Sequence, residues 1–175
     1  FPLFQPSHPV VFGDTDTLFG TIAAGDVLLH HPFESFDPVI EFLRAAAEDP
    51  AVLAIKQTIY RTGTESELME LLVKAAQSGK EVTVVVELMA RFDEETNLNW
   101  AARLEEVGAH VVFGVVGHKT HAKMLLVVRR EAGRLKRYAH MGTGNYHTRT
   151  ARLYTDFGLL TARDSMTADI NEGFR

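Results

Sequence analysis

The chain has 175 residues, enough for one domain with a full hydrophobic core. It has no cysteine, which excludes disulfides, thiolate metal sites and a catalytic thiol. Apolar runs stay well short of the roughly 20 residues that a membrane-spanning helix needs, and the first residues lack the basic head of a signal peptide. We expect residues 1–24 to lead in from a preceding domain of a longer, multidomain chain.

The net charge of −5 conceals a strongly basic segment. Residues 118–152 contain nine Lys or Arg, one acidic residue (Glu131) and four of the eight histidines. A local excess of positive charge favours binding of an anionic partner, although a basic face that is only exposed to solvent would show the same charge pattern.

From residue 35 onward the pattern alternates helix and strand. Asp37 before Pro38 predicts a helix N-cap followed by proline at the first helical position, which starts a helix over 35–49. The β-branched apolar run over 52–60 is typical of a buried parallel strand. The pattern then predicts a helix capped by Thr64 or Ser66 and ended by Gly79, a strand over 82–88, a helix over 97–107 and a strand over 110–116.

A hairpin follows these parallel units. Apolar residues over 122–129 and 135–141 flank the turn 131–134, and a last strand is predicted over 157–161. We therefore predict one α/β domain over 1–175, a mixed sheet flanked by helices with an appended β-hairpin.

Two short motifs carry candidate chemistry. His121 and Lys123 are two residues apart at the predicted start of a strand, so their side chains should project to the same side. A neutral imidazole can act as a nucleophile toward phosphorus. The second motif, GTGN at 142–145, lets backbone amides approach an anion, and Asn145 can donate a hydrogen bond. The hairpin should return this loop beside His121.

Charged residues also follow the parallel strands. Arg61 and Arg91 come where two strands end, the edge at which ligands gather in α/β sheets, and guanidinium groups bind phosphate oxygens bidentately. The acidic run at 93–95 can bind Mg²⁺, but charge compensation in the first turn of a helix explains it as well.

Other histidines and aromatic residues have less specific interpretations. His140 on the return strand is a partner of the site or a hairpin residue, and the adjacent His30 and His31 should point opposite ways and be structural. Tyr154, close to basic residues, can stack a nucleobase or pack in the core.

Several long strings, taken together, resemble the long bacterial polyphosphate kinases. The similarity runs from 25 to 162 and rests on HHPFESFDPVIEFLRAAAEDP, IKQTIYRTGTES, VTVVVELMARFDEETN, GHKTHAKMLLVVRRE and YAHMGTGNYHTRTARLYTDFGLLTA. The catalytic half of that family consists of two phospholipase-D-like domains, and this chain resembles the first.

The resemblance implies a reaction and a set of residue roles. The terminal phosphate of ATP would be transferred reversibly to inorganic polyphosphate through a phosphohistidine, with Mg²⁺ as cofactor. His121 matches the phosphorylated histidine. The other matched residues are Lys123 and Asn145 as phosphate contacts, Arg61 and Arg91 in the binding of phosphate-bound Mg²⁺ or of phosphate itself, and Tyr154 as a nucleotide contact.

The sequence departs from related patterns at two positions. The phospholipase-D motif HxKxxxxD would place aspartate at position 128, where this chain has Val128, and this argues against a phosphodiesterase. His118 stands where the family has a small apolar residue. A phospholipase-D-like phosphodiesterase and a non-catalytic polyanion-binding module remain the alternatives.

The resemblance also implies partners and location. Expected partners are ATP or ADP, inorganic polyphosphate, the remaining domains of the parent chain and copies of the protein itself, with no nucleic acid. Only one HxK motif is present, so we expect the isolated segment to be inactive without the following domain. The expected location is the bacterial cytoplasm, with peripheral contact to the inner membrane as a variant.

Overall fold

The computed structural model describes residues 4–8, 14–87, 94–114 and 118–175. Within these ranges, helices and strands follow one another in this order: α1 (Thr15–Ala24), β1 (Val27–His31), α2 (Asp37–Glu48), β2 (Val52–Ile59), α3 (Glu67–Gln77), β3 (Glu81–Val86), α4 (Glu94–Glu106), β4 (His110–Phe113), β5 (Lys123–Glu131), β6 (Arg134–Gly142), α5 (Thr148–Ala151), β7 (Asp156–Thr161) and α6 (Asp164–Glu172). No helix in this part of the chain is long and apolar enough to cross a membrane.

The seven strands form one mixed sheet in the order β1-β7-β6-β5-β2-β3-β4. Strands β2, β3 and β4 are parallel, because helices α3 and α4 carry the chain back between them. The other neighbouring pairs are antiparallel. The predicted fold class is confirmed, and the hairpin occupies the middle of the sheet, where it joins the parallel strands to β7 and β1.

The conformation of the hairpin turn sets the pairing register of β5 with β6. Ala132 and Gly133 both have positive φ, +46° and +77°, as the two-residue turns that match strand twist require. Each residue of β5 from Lys123 to Glu131 then pairs directly with β6, so Lys123 lies opposite Gly142.

The core lies mainly on one face of the sheet. Helices α1, α2 and α3 cover this face with fully buried side chains such as Phe19, Phe42 and Leu72. Helix α6 covers part of the opposite face, where Ile170 packs on Leu126 and Ala139.

The predicted elements from 35 to 161 are confirmed with small shifts at their ends. Ser66 caps α3, since its Oγ accepts from the Met69 amide at 3.4 Å. The N-cap prediction for Asp37 is wrong: α2 begins at Asp37, whose amide donates to Ser35 Oγ at 3.1 Å. Residue 88 and residues 115–117, the predicted ends of two strands, lie outside the described residues.

Four elements were not predicted from the sequence: α1, β1, α5 and α6. Helix α1 belongs to the segment expected to lead in from another domain, yet Leu18, Phe19 and Ile22 are buried in the core. Its N-cap is Asp14, whose carboxylate accepts from the Thr17 amide at 2.7 Å.

Candidate active site

The sheet topology brings five strand ends together at one edge of the sheet, the edge that runs across the strands. Strands β2 and β3 end there, and β5 begins there because it runs antiparallel to β2. Strand β6 ends at the same edge, with Gly142 opposite Lys123, and β7 begins there, with Gly158 opposite Gly142. Side chains that are far apart in sequence therefore meet at this edge.

A cavity of about 330 Å³ opens at the meeting point. Five of the six predicted site residues line it: His121, Lys123, Arg61, Asn145 and Tyr154. The sixth, Arg91, lies outside the described residues. The structure thus brings the HxK and GTGN motifs together, while the roles of these residues remain predictions.

Tyr60 connects the cationic side chains of the cavity, and the sequence analysis missed it. Its ring meets the imidazole of His121 edge to face, at 5.2 Å between ring centroids. Lys123 Nζ lies 5.0 Å from the same ring centroid, and Arg61 Cζ lies 5.5 Å from it. Such distances suit cation–π attraction, so Tyr60 helps to hold two positive groups beside one imidazole. Its place directly before Arg61 at the end of a strand was the available signal.

Lys123 and His121 differ in burial. The lysine is buried, and its Nζ donates to the His121 carbonyl at 2.5 Å, whereas His121 is exposed. Burial lowers the pKa of Lys123, and the negative charge of Asp156 partly opposes that change. An exposed imidazole beside a buried ammonium leaves the histidine accessible to a substrate.

Asp156 is a further residue of the cavity that the sequence analysis missed. It is the first residue of β7, and its carboxylate accepts from Thr143 Oγ1 at 2.9 Å. Thr143 Oγ1 in turn accepts from the Phe157 amide at 2.9 Å, which ties the 142–145 loop to β7. Gly144 packs directly on Asp156: an ideal Cβ there would lie 2.6 Å from Asp156 Cγ. A side chain at position 144 would therefore displace Asp156.

A buried layer of polar side chains supports this loop from below. His140 Nδ1 and the Tyr146 hydroxyl are 2.8 Å apart, and both residues are buried. Burial lowers the pKa of His140 to about 3, helped by the nearby His31, so its imidazole is neutral. His31 is buried, whereas its neighbour His30 points the other way and stacks on Phe157 at 4.5 Å between ring centroids.

Within 4–8, 14–87, 94–114 and 118–175, no three His, Asp or Glu side chains are placed to hold a metal ion. Glu94 and Glu95 lie in the first turn of α4, where they complement the helix dipole. The cavity is lined by several cationic side chains and one carboxylate. This excess of positive charge suits the binding of phosphate oxygens better than the binding of a bare metal ion.

Comparison with known proteins identifies the family. A family model described as polyphosphate kinase C-terminal domain 1 matches residues 17–175. This chain belongs to the polyphosphate kinase family. A polyphosphate kinase of Burkholderia cenocepacia is 64% identical over 179 aligned residues, covering 100% of this chain and 26% of the relative. The chain therefore spans about a quarter of the length of the relatives that it matches.

Solved structures agree with this assignment. The polyphosphate kinase of Porphyromonas gingivalis matches 89% of this chain with a TM-score of 0.77 and 39% identity, over 26% of its own length. Nuc of Salmonella typhimurium, a phospholipase D family member, matches 86% of this chain and 91% of its own with a TM-score of 0.64 and 14% identity. The second likeness shows that this polyphosphate kinase domain has a phospholipase-D-like fold.

Proposed function

We propose that this chain is a phosphoryl-transfer domain of a polyphosphate kinase, in which His121 carries the phosphoryl group. The observation that supports this most strongly is the cavity where exposed His121 lies beside Lys123 and Arg61. Membership of the polyphosphate kinase family supports the choice of substrates, which are ATP and inorganic polyphosphate.

The reaction would proceed in two displacements at phosphorus. An imidazole nitrogen of His121 forms a bond to the terminal phosphorus of ATP as the P–O bond to ADP breaks. A terminal oxygen of polyphosphate then attacks that phosphorus, the N–P bond breaks and the imidazole is regenerated. Each step needs in-line geometry and compensation of negative charge on the phosphoryl oxygens.

The residues of the cavity would supply that compensation. Lys123 and Arg61 line the same space as His121, so their positive charges can face the oxygens of the transferred group. Asn145 and the glycines beside it offer hydrogen bonds to phosphate, and exposed Tyr154 offers a surface for the nucleotide. Mg²⁺ would enter bound to the phosphates of ATP, and we propose that Arg61 and Arg91 contact that Mg²⁺–phosphate group.

The rest of the parent protein would complete the site. Because this chain spans 26% of its relatives and carries one HxK motif, we propose that the segment alone has little kinase activity. We also propose a cytoplasmic, homo-oligomeric parent enzyme. The basic segment at 118–152 would attract polyphosphate, and that attraction should weaken as salt is added.

The test is polyphosphate synthesis by the full-length protein that carries this chain. His121→Ala should abolish ATP-dependent synthesis. Arg61→Ala should lower turnover about 100-fold or more, with a much smaller effect on folding, as expected for a group that stabilises transition-state charge. His118→Ala, which replaces an exposed histidine three residues away, is the matched control and should retain activity. Activity of His121→Ala equal to that of wild type would refute the assignment.

The same preparations separate the alternatives. A phospholipase-D-like phosphodiesterase would cleave a generic phosphodiester such as bis(p-nitrophenyl) phosphate and would release product to water. A polyanion-binding module would bind polyphosphate equally well with and without His121 and would form no phosphohistidine.

A further inference from the structure

The segment that carries His121 has no regular backbone hydrogen bonding of its own. Residues 118–122 form neither helix nor strand, and His121 is exposed, so neither a ladder of hydrogen bonds nor burial fixes the imidazole. In-line transfer to phosphorus nevertheless requires a defined position, since a displacement of about 1 Å can cost about 100-fold in rate. Side-chain contacts must therefore hold this segment, and the hydrogen bond from Lys123 Nζ to the His121 carbonyl is one of them.

We propose that Glu87 is a positioning residue for His121, an inference that rests on the proposed phosphoryl transfer. Glu87 follows β3 directly and is 3% exposed. Its Oε2 accepts a hydrogen bond from the backbone amide of Thr120, the residue before His121, at 2.6 Å. This distance is at the short end for an N–H···O hydrogen bond, so the contact can anchor the segment.

The backbone of Glu87 is itself fixed to the end of β2. Its amide donates to the Ile59 carbonyl at 2.9 Å. The fully buried Asn97 donates from Nδ2 to both the Glu87 carbonyl, at 3.0 Å, and the Tyr60 carbonyl, at 2.9 Å. Tyr60 contacts the His121 ring, so one framework holds both the backbone before the histidine and the ring against which it packs.

The packing around Thr120 leaves little room for movement. An ideal Cβ on Gly114, which follows β4, would lie 2.8 Å from Thr120 Oγ1 and 3.6 Å from Glu87 Oε2. A methyl group at position 114 would therefore overlap the Thr120 hydroxyl and press on the residue whose amide donates to Glu87. Removal of Thr120 Oγ1 in the same protein would relieve that overlap.

The experiment is rapid-quench phosphorylation of the full-length protein with radiolabelled Mg-ATP, which gives a rate constant and an amplitude for phosphohistidine formation. Glu87→Ala should lower the rate constant about 10- to 100-fold while the KM for ATP and the amplitude per folded protein stay unchanged. Glu87→Gln keeps an oxygen that can accept from Thr120, so it should restore most of the rate. A purely structural role would instead lower the amplitude with the folded fraction and leave the rate constant unchanged.

Glu131 provides the matched control. It is a partly buried glutamate whose carboxylate accepts hydrogen bonds from Tyr138 at 2.6 Å and from Arg129 at 2.9 Å. It lies at the other end of β5, roughly 27 Å from Lys123 along the strand. Glu131→Ala should lower the melting temperature and leave the rate constant of phosphorylation at its wild-type value.

A second pair of variants decides the question if Glu87→Ala does not fold. Gly114→Ala should slow phosphorylation, and Gly114→Ala with Thr120→Ala should recover it. Wild-type rate constants in Glu87→Ala, or in Gly114→Ala when Glu87→Ala cannot be measured, would overturn this inference alone. Absence of phosphohistidine from the wild-type protein would overturn the proposed function and this inference together.

Discussion

Replacement of Arg129 should destabilise the domain more than replacement of any of its partners that face solvent. Arg129 lies on β5 with its side chain 15% exposed, and it bonds three carboxylates: Asp49 at 2.7 Å, Asp16 at 2.6 Å and Glu131 at 2.9 Å. Burial alone lowers the pKa of Arg129, but its hydrogen bonds to Asp49 and Glu131 outweigh burial and raise that pKa. The guanidinium therefore ties α1, the turn before β2 and the hairpin into one unit.

The burial of each carboxylate sets the expected magnitudes. The Asp49 side chain is 6% exposed, so Arg129→Ala removes the ion-pair partner of a buried carboxylate, which costs about 3–5 kcal/mol of unfolding free energy. Asp16 is 86% exposed, so Asp16→Ala should cost less than about 1 kcal/mol. Against a typical stability of about 5–15 kcal/mol, the first variant should lose a large share of its stability and the second very little.

Urea unfolding of the 175-residue chain, followed by circular dichroism, measures these differences. The double variant with Asp49→Asn and Arg129→Ala should be less destabilised than the sum of the single variants, because neither charge is then left buried alone. A cost below about 1 kcal/mol for Arg129→Ala, or equal costs for Arg129→Ala and Asp16→Ala, would refute this reasoning.

Two further predictions concern the layer beneath the cavity and the loop above it. Because burial holds the pKa of His140 at about 3 when folded, against about 6.5 when unfolded, the unfolded state binds the proton between these values. The contribution of His140 to stability is therefore fully present above about pH 6.5 and decreases as the pH drops, by about 2 kcal/mol at pH 5. Urea unfolding of His140→Phe should lack this part of the pH dependence. Gly144→Ala should lower turnover in the polyphosphate synthesis assay by displacing Asp156, since the new Cβ would lie 2.6 Å from Asp156 Cγ. Gly20→Ala is the control: a Cβ at position 20 would meet no atom within 4 Å, so turnover should stay unchanged. A pH dependence retained in His140→Phe, or normal turnover in Gly144→Ala, would contradict these two predictions.

Apart from the short helix α5, the order of elements from 35 to 161 was predictable because each has a strong local signal. Ser66 before an amphipathic run, Gly79 after it and apolar β-branched strands leave few alternatives. Helix α1 was missed because its hydrophobic residues sit in a short segment of threonine, glycine and alanine, although Asp14 is an N-cap residue that could have been noticed.

The central position of the hairpin could not be derived from the sequence. Local patterns show that β5 and β6 pair, but β5 also pairs with β2, a contact between residues about 70 positions apart. Such long-range pairing depends on packing across the whole sheet and leaves no periodic signal.

The candidate site was predictable where its residues form short motifs. His121 with Lys123, and the GTGN loop, are each weak signals, and the hairpin register brings them together. Tyr60, Asp156 and Glu87 were missed, because each is an isolated residue whose position at the sheet edge appears only when the strands are assembled.

The most direct test of the central claim is to locate phosphate on the full-length protein after brief incubation with Mg-ATP, by mass spectrometry under conditions that preserve phosphohistidine. We predict phosphate on His121 that disappears when inorganic polyphosphate is added as acceptor, and we predict neither phosphate nor polyphosphate synthesis in His121→Ala. Polyphosphate synthesis that continues in His121→Ala, or phosphate found on His118 or His140 in place of His121, would contradict the account.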